Sequence, residues 1–302
     1  MKKLFLLLLI PVALATGCKP KPAGDAKPLV TVTILPLQYF AEQLAGDYFS
    51  INVLVPPGVS HHNYDPTPRQ LQELEKSKAL FMIGHLGFET GWIPKMKSNY
   101  SNLAIHDLSA GVALIADEEG EGGHSDEHGE ASEADEHGHG GIDPHYWMSV
   151  TESRKLAVTM ARGLIAADPA CRQMVENNLS KLTVRLDSLD AALQAQTNGL
   201  THRSFLIFHP ALAYLARDYK LEQHSMELGG KEPTASHFRE LVDLAKVKQI
   251  NTIFIQKEYD QENAESLARE TGAKIVVIDP MSPDWFGEMV QLAEKIADMD
   301  RR

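Results

Sequence analysis

The sequence lacks an excess of positive charge and, beyond its first residues, any long apolar segment. Its formal net charge is −12, and ten acidic side chains fall between Asp117 and Gly141, a tract without Lys or Arg. The rest of the chain is therefore nearly neutral, at about −2, and offers no basic surface to nucleic acid. No segment after the first 18 residues is long and apolar enough to cross a bilayer, which takes about 20 residues. The composition therefore favours neither a nucleic-acid-binding protein nor a protein with several membrane spans.

The first residues have the pattern of a leader. Met1–Lys3 is basic, and Leu4–Ala15 is an apolar run too short to span a bilayer comfortably. The run ends in Ala15-Thr16-Gly17-Cys18, which is similar to a bacterial lipoprotein box, although Ala15 stands where such boxes usually have Leu. We expect residues 1–18 to form a signal peptide with lipidation at Cys18, a plain signal peptide being the alternative. Residues 19–28 are then a flexible tether.

Cysteine is nearly absent, since Cys171 is the only one besides Cys18. Lipidation of Cys18 would leave no intramolecular disulfide. Any metal site must then be built from histidines and carboxylates.

The tract from Asp117 to Gly141 combines its acidic residues with glycines and four histidines, His124, His128, His137 and His139. It has almost no apolar side chains and its charges repel one another, so we predict a disordered loop. Neutral imidazole is a good ligand for zinc and copper, and His-rich tracts suit weak, exchangeable metal capture. We interpret the tract as a weak auxiliary metal collector. The alternative is a solvated acidic loop with incidental histidines.

Short apolar runs alternate with helical patterns in both halves of the chain. The predicted strands are Leu29–Leu35, Ile51–Val55, Ala79–Ile83, Leu103–Ile105, Phe205–Phe208, Leu221–Met226, Thr252–Ile255 and Lys274–Ile278. Such alternation predicts parallel sheets covered on both faces. We therefore predict an α/β fold of two similar lobes, residues 29–150 and 200–302, each with a four-stranded, mainly parallel sheet flanked by helices.

Residues 151–199 form the predicted helical connection, which contains one long helix. An apolar stripe with spacings of 4, 3, 4, 3 and 4 comprises Val175, Leu179, Leu182, Leu186, Leu189 and Leu193. A helix from Cys171 to Thr197 would be roughly 40 Å long, and Gly199 would cap it. We expect this helix to lie across both lobes and restrict their relative motion, a coiled-coil dimer seam being the alternative.

Four potential metal ligands follow the ends of predicted strands: His62, His145, His209 and Asp279. Ligands of α/β proteins gather at the carboxyl ends of parallel strands. Two of these residues come from each lobe, so we predict a site in the cleft between the lobes. Three imidazoles and a carboxylate suit zinc better than manganese, which prefers oxygen ligands.

Several motifs resemble the zinc-binding receptors of ABC-type metal importers. These motifs are His62-Asn63-Tyr64-Asp65-Pro66-Thr67-Pro68, Gly87-Phe88-Glu89, Asp143-Pro144-His145-Tyr146-Trp147, Phe208-His209-Pro210-Ala211-Leu212-Ala213-Tyr214, Gly230-Lys231-Glu232-Pro233-Thr234 and Ile278-Asp279-Pro280. The resemblance extends from Leu29 to the end of the chain. It implies solute capture and delivery to a membrane permease with no chemical step.

The resemblance also implies that His62, His145, His209 and Asp279 are the ligands. Manganese and iron receptors of the family usually carry Glu at the third position, so His209 indicates the zinc branch. Some zinc receptors use the residue directly before the first histidine, which makes His61 a competitor of Asp279 for the fourth position. His85 stands where relatives often have Asn; it either lines the cleft or is a loop histidine without a role.

The predicted function is therefore a zinc receptor, not an enzyme, anchored in the periplasm or on the cell surface. Its partners would be an ABC permease and the membrane that holds Cys18, and we expect a monomer. Two alternatives are a zinc hydrolase with three histidines and a carboxylate as general base, and a metal-binding adhesin or buffer. Because imidazoles bind metal only when neutral, zinc affinity should fall as the pH drops through the histidine range, near 6.5.

Overall fold

Eight short strands form two separate sheets of four. The computed structural model describes residues 27–62, 64–116, 141–228, 230–259 and 261–300. The first sheet comprises β1 (Leu29–Val32), β2 (Ser50–Val53), β3 (Ala79–Met82) and β4 (Ala104–Asp107), and the second comprises β5 (Ser204–Ile207), β6 (Glu222–Ser225), β7 (Thr252–Gln256) and β8 (Lys274–Ile278). The strand orders β2-β1-β3-β4 and β6-β5-β7-β8 repeat one topology, and these strands pair in parallel throughout. The prediction of two similar α/β lobes is confirmed.

Helices cover the faces of both sheets and connect the lobes. In the described residues they are α1 (Leu35–Ala45), α2 (Pro68–Glu75), α3 (Gly87–Asn99), α4 (Val150–Ala167), α5 (Arg172–Asn198), α6 (Ala213–Tyr219), α7 (Ala235–Lys248), α8 (Glu262–Thr271) and α9 (Trp285–Ala297). Every residue of β3 and β7 is buried, as expected for central parallel strands with helices on both faces. This arrangement leaves the carboxyl ends of the strands as the edge at which a ligand can collect.

The long connecting helix is α5, which contains 27 residues and is therefore about 40 Å long. The helix packs within the chain against α1, α4, α6 and α9, and most leucines of its apolar stripe belong to the hydrophobic core. Leu182, Leu186 and Leu189 are buried, so the stripe is not available as a coiled-coil seam. Gly199 follows the helix. Its φ of −90° lies in the right-handed region, so glycine's ability to adopt a positive φ does not explain why the helix ends there.

One hydrophobic core extends through both lobes, and a second, smaller one lies within the second lobe. The final helix, α9, packs against α5 and also against α1 of the first lobe. Its Trp285 contacts Phe40 at a centroid distance of 4.8 Å, and its indole N–H donates to the carbonyl of Trp147. The Trp147 indole in turn donates to the carbonyl of Pro280 at 2.9 Å. Two buried tryptophans therefore join the segment that carries His145 to the segment that follows β8.

Some predictions concern residues outside the described ranges. They are the signal peptide, most of the tether, Cys18, and the tract with His124, His128, His137 and His139. Within the part of the chain that the structure describes, no helix has the length and apolar character that crossing a membrane requires.

Candidate metal centre

His61 and His62 lie on the loop between β2 and α2, and the residues after them fix its path. Thr67 caps α2 in a reciprocal capping box with Gln70. The Gln70 side-chain oxygen also accepts a hydrogen bond from the Tyr64 hydroxyl at 2.8 Å, and its amide donates to the carbonyl of Leu54 at 2.6 Å. One glutamine thus ties the end of the loop to the residue that follows β2.

Close packing fixes the other side of this loop. A Cβ atom added to Gly87 would lie 2.9 Å from the backbone oxygen of His62, so only glycine lets α3 begin this close to the loop. The Trp92 indole of α3 donates to Asp65 at 3.0 Å. The helix therefore supports the histidine pair through contacts that side-chain periodicity does not reveal.

His145 follows the acidic tract, at the point where the chain rejoins the described structure. Ala116 and Ile142 form an isolated antiparallel bridge that closes the base of the tract. Tyr214 of the second lobe donates to the carbonyl of Asp143 at 2.6 Å. The Asp143 carboxylate accepts from both the backbone N–H and the ring Nδ1 of His145, each at 2.8 Å. The imidazole is therefore held in one orientation while almost fully buried.

His209 lies just past β5, near the boundary between β5 and β7 where the strand order reverses. The Gln256 side chain at the end of β7 accepts from its backbone N–H and donates to its carbonyl, at 3.3 and 2.7 Å. The ring Nδ1 contacts the Glu227 carboxylate at 2.7 Å. Glu227 follows β6, and its backbone N–H donates to the carbonyl of Phe208. The second sheet therefore fixes both the backbone and the ring of this histidine.

The four imidazoles converge on one point. Nε2 of His209 lies 3.0 Å from that of His62 and 3.2 Å from that of His145, and Nε2 of His61 lies 3.3 Å from that of His145. All four candidate ligand atoms lie within 4.8 Å of one another. Four nitrogens around zinc at 2.0–2.1 Å would be about 3.3 Å apart, the edge of a tetrahedron. The three closest spacings therefore match the edge of such a tetrahedron, and all four atoms lie close enough together to hold one ion.

Burial favours the neutral, metal-binding form of the histidine pair. It lowers the pKa of His62 to about 2, with smaller contributions from the imidazoles of His209 and His145. Burial likewise holds the pKa of His61 well below its ordinary value, and the three neighbouring imidazoles act in the same direction. Protons therefore compete less for these two nitrogens than for ordinary imidazoles, and the fall of zinc affinity with falling pH stays a prediction.

Of the predicted ligands, the structure brings His62, His145 and His209 together and adds His61 as the fourth member. Asp279 is not in this group of ligand atoms; its Oδ2 contacts the Lys257 ammonium, while its Oδ1 is buried without a hydrogen-bond partner among the described residues. His85 is not in the group either, although its Nε2 is buried and unpartnered within the described structure.

Sequence reasoning missed Glu227 and did not single out Asp143 from its motif. Glu227 directly follows the predicted strand Leu221–Met226. It therefore lies at a strand end, as His209 does, and the same criterion could have identified it. Asp143 lies two residues before His145, where a carboxylate can contact both the backbone and the ring. Neither offers an atom to the ion directly, which is why a search restricted to ligands passed over them.

Two parallel-sheet lobes that close on a buried set of imidazoles define a metal-binding protein with its site between the lobes. Comparison with known proteins gives the family. The family model described as "Zinc-uptake complex component A periplasmic" (ZnuA) matches residues 30–299. The chain therefore belongs to the ZnuA family of metal-binding ABC substrate-binding proteins.

Individual relatives extend over most of the chain. The zinc-binding lipoprotein AdcA of Streptococcus pneumoniae is 30% identical over 93% of this chain, which spans 56% of that relative's length. The high-affinity zinc uptake system protein ZnuA of Bacillus subtilis is 28% identical over 85% of this chain and 79% of its own length. A crystal structure of ZnuA is 34% identical, with a TM-score of 0.80 over 91% of this chain and 99% of that one.

Proposed function

We propose that this protein captures Zn²⁺ between its lobes and delivers it to an ABC permease for import. One observation carries the proposal. The rings of His145 and His209 each place Nδ1 against a carboxylate, which makes Nδ1 the protonated nitrogen and leaves a lone pair on Nε2. Two such lone pairs facing each other at 3.2 Å cannot hydrogen-bond to one another, but both can bind one cation.

Zinc is the ion that fits this donor set best. Four imidazoles supply the nitrogen ligands that suit zinc, whereas manganese prefers carboxylate and water oxygens. The zinc-binding names of the streptococcal and Bacillus relatives agree with this choice. Manganese is the less suitable cargo.

The same donor set argues against a zinc hydrolase. A catalytic zinc site keeps one coordination position open for water, and here four protein nitrogens lie within reach of a single ion. An adhesin or buffer would bind the metal equally well without a permease. Its metal site would be the same, so only a measurement of transport distinguishes it from an import receptor.

We also propose that the chain acts outside the cytoplasm, attached to the membrane by a lipid on Cys18. The lipoprotein-box pattern and the lipoprotein name of the streptococcal relative support this location. A Cys18→Ala variant should move from the membrane fraction to the soluble extracytoplasmic fraction. A variant that stayed with the membrane would contradict the lipid anchor.

The metal site is tested by His145→Ala and His209→Ala. Each variant removes a buried ligand, so zinc affinity measured against a chelating dye should fall by orders of magnitude. His202→Ala is the control. His202 lies before the amino end of β5, at the opposite end of that strand from His209, and it pairs with Asp300.

Growth under zinc limitation tests the transport step. Cells that lack the native protein should regain growth with the wild-type chain and not with the two ligand variants. Wild-type affinity in both ligand variants would refute the site, and tight binding without any effect on growth would favour the buffer or adhesin.

His61 and Asp279 compete for the fourth coordination position. We propose His61, because its Nε2 already lies with the other three, whereas Asp279 contacts Lys257. The unpartnered Oδ1 of Asp279 is the argument for the alternative. His61→Ala should weaken zinc binding at least tenfold and more than Asp279→Ala does; the reverse order would give the position to Asp279.

A further inference from the structure

The four imidazoles contribute no negative charge that could balance a bound cation. His61, His145 and His209 are buried, and a bound Zn²⁺ would bring two positive charges into their midst. A buried charge without a compensating partner is strongly unfavourable. Nearby carboxylates must therefore balance the ion without binding it.

Two buried carboxylates are placed to do so. Glu227 contacts Nδ1 of His209 at 2.7 Å, and Asp143 contacts Nδ1 of His145 at 2.8 Å. Both residues are buried, at 7% and 8% relative exposure. Each accepts the Nδ1–H of a ligand, and such a contact fixes the ring and makes its other nitrogen more basic.

The charge of Asp279, the nearest alternative, is already compensated. Gln256 pairs with Ile278 across β7 and β8, so the residues that follow, Lys257 and Asp279, lie side by side. The backbone N–H of Lys257 donates to the carbonyl of Ile278, and its ammonium contacts the Asp279 carboxylate. The register of the sheet thus provides Asp279 with a cation from the chain itself.

We propose that Glu227 and Asp143 are positioning residues that orient two of the imidazoles and supply the two negative charges that balance the bound ion. This inference rests on the proposed zinc-binding function and extends it to the residues behind the ligands. The site is then neutral overall when it holds a divalent cation, although every ligand is uncharged. Asp279, neutralised by Lys257, does not contribute to this balance.

Glu227→Gln and Asp143→Asn test the proposal, because each keeps an oxygen that can accept from Nδ1–H and removes only the charge. Loss of such a partner typically lowers metal affinity about 10- to 100-fold, and we expect each variant to lose that much zinc affinity in chelator competition. Glu258→Gln is the matched control: its carboxylate lies within electrostatic range of His209 but forms no hydrogen bond to an imidazole within the described structure. The control should stay within about threefold of wild type.

Two further measurements separate positioning from a purely structural role. The metal-free variants should melt at the wild-type temperature, whereas their zinc-induced rise in Tm should shrink. In the His209→Ala background, Glu227→Gln should cause a smaller further loss of affinity than in the wild type, because only the direct effect of its charge on the ion remains once the ring is gone. Glu227→Ala, which removes the acceptor as well, should also change the visible spectrum of the Co²⁺-loaded protein.

Three outcomes would overturn the inference. They are wild-type zinc affinity in both amide variants, an equal loss in Glu258→Gln, or additive losses in the double variant with His209→Ala. Failure of the proposed function itself is a different result, since His209→Ala alone would then leave zinc binding intact.

Discussion

Burial lowers the pKa values of two of the central histidines, His61 and His62, and this makes stability depend on pH. The pKa of His62 is lowered to about 2, mainly by burial, from an ordinary value of 6.5. Between these two values the unfolded chain binds a proton that the folded chain does not. Acidification therefore favours the unfolded state, and the stability contributed by neutral His62 is fully present above 6.5 and declines as the pH falls.

We predict that the melting temperature of the metal-free protein falls progressively as the pH is lowered from about 7 to about 5. The melting temperature of His62→Asn should depend less steeply on pH. Thermal unfolding in the presence of a chelator measures both profiles. The two proteins share every other titrating group, so the difference between their profiles reports His62 together with its lowering effect on the pKa of His61. Parallel profiles would show that His62 does not remain neutral in the folded chain.

At the scale of single residues, the sequence could identify three of the four converging imidazoles. His62, His145 and His209 follow strand ends, and parallel sheets bring such positions to one edge. The choice between His61 and Asp279 depended on side-chain direction. The proposed choice of His61 rests in part on the β7–β8 register, which puts Lys257 beside Asp279, and no local pattern encodes that register.

At the scale of elements, strong periodicity decided what could be predicted. α5 was predicted almost to the residue, because an apolar stripe runs along one of its faces. α3 escaped notice because Pro94 lies inside it and its apolar residues do not line one face. Its stability comes from packing, through the buried Phe88, Ile93 and Met96, and only the tertiary structure reveals such packing.

The helix between the lobes allows a matched test of packing. Leu186 and Val184 lie two residues apart on α5, but Leu186 is 1% exposed and Val184 is 65% exposed. Leu186→Ala should lower the free energy of unfolding by about 2–5 kcal/mol, because it leaves a cavity in the shared core. Val184→Ala should change it by less than about 0.5 kcal/mol. Urea unfolding of the metal-free proteins measures both, and equal effects would contradict the packing of the stripe against both lobes.

At the scale of the whole molecule, several independent connections hold the lobes together. α5 and α9 both pack across the boundary, and the Trp147 and Trp285 indoles bond across it. Arg217 of the second lobe also pairs with the buried Glu152 of α4, in the helical connection between the lobes. These contacts favour small adjustments around the metal site over wide opening of a hinge, as predicted for lobes joined by a rigid helix.

The acidic tract can be removed without disturbing this framework, because its two ends already meet. Ala116 and Ile142 pair in an antiparallel bridge, and the Asp143 backbone N–H donates to the carbonyl of Ile115 at 3.0 Å. A two-residue turn can connect antiparallel neighbours. Replacing residues 117–141 with Gly-Gly therefore should leave Asp143 and His145 in place.

We predict that this deletion removes weak zinc sites and retains one tight site. Histidines of an acidic, glycine-rich tract suit weak, exchangeable metal capture, whereas the four imidazoles between the lobes are held by buried contacts that the deletion leaves intact. Calorimetric titration should show the stoichiometry falling to one ion per chain with the tight-site affinity unchanged. A tract with its histidines replaced by Asn, at full length, controls for the loss of chain itself and should give the same titration. Loss of the tight site in either protein would mean that the tract supplies a ligand to the central ion, and the division between collector and receptor site would then be wrong.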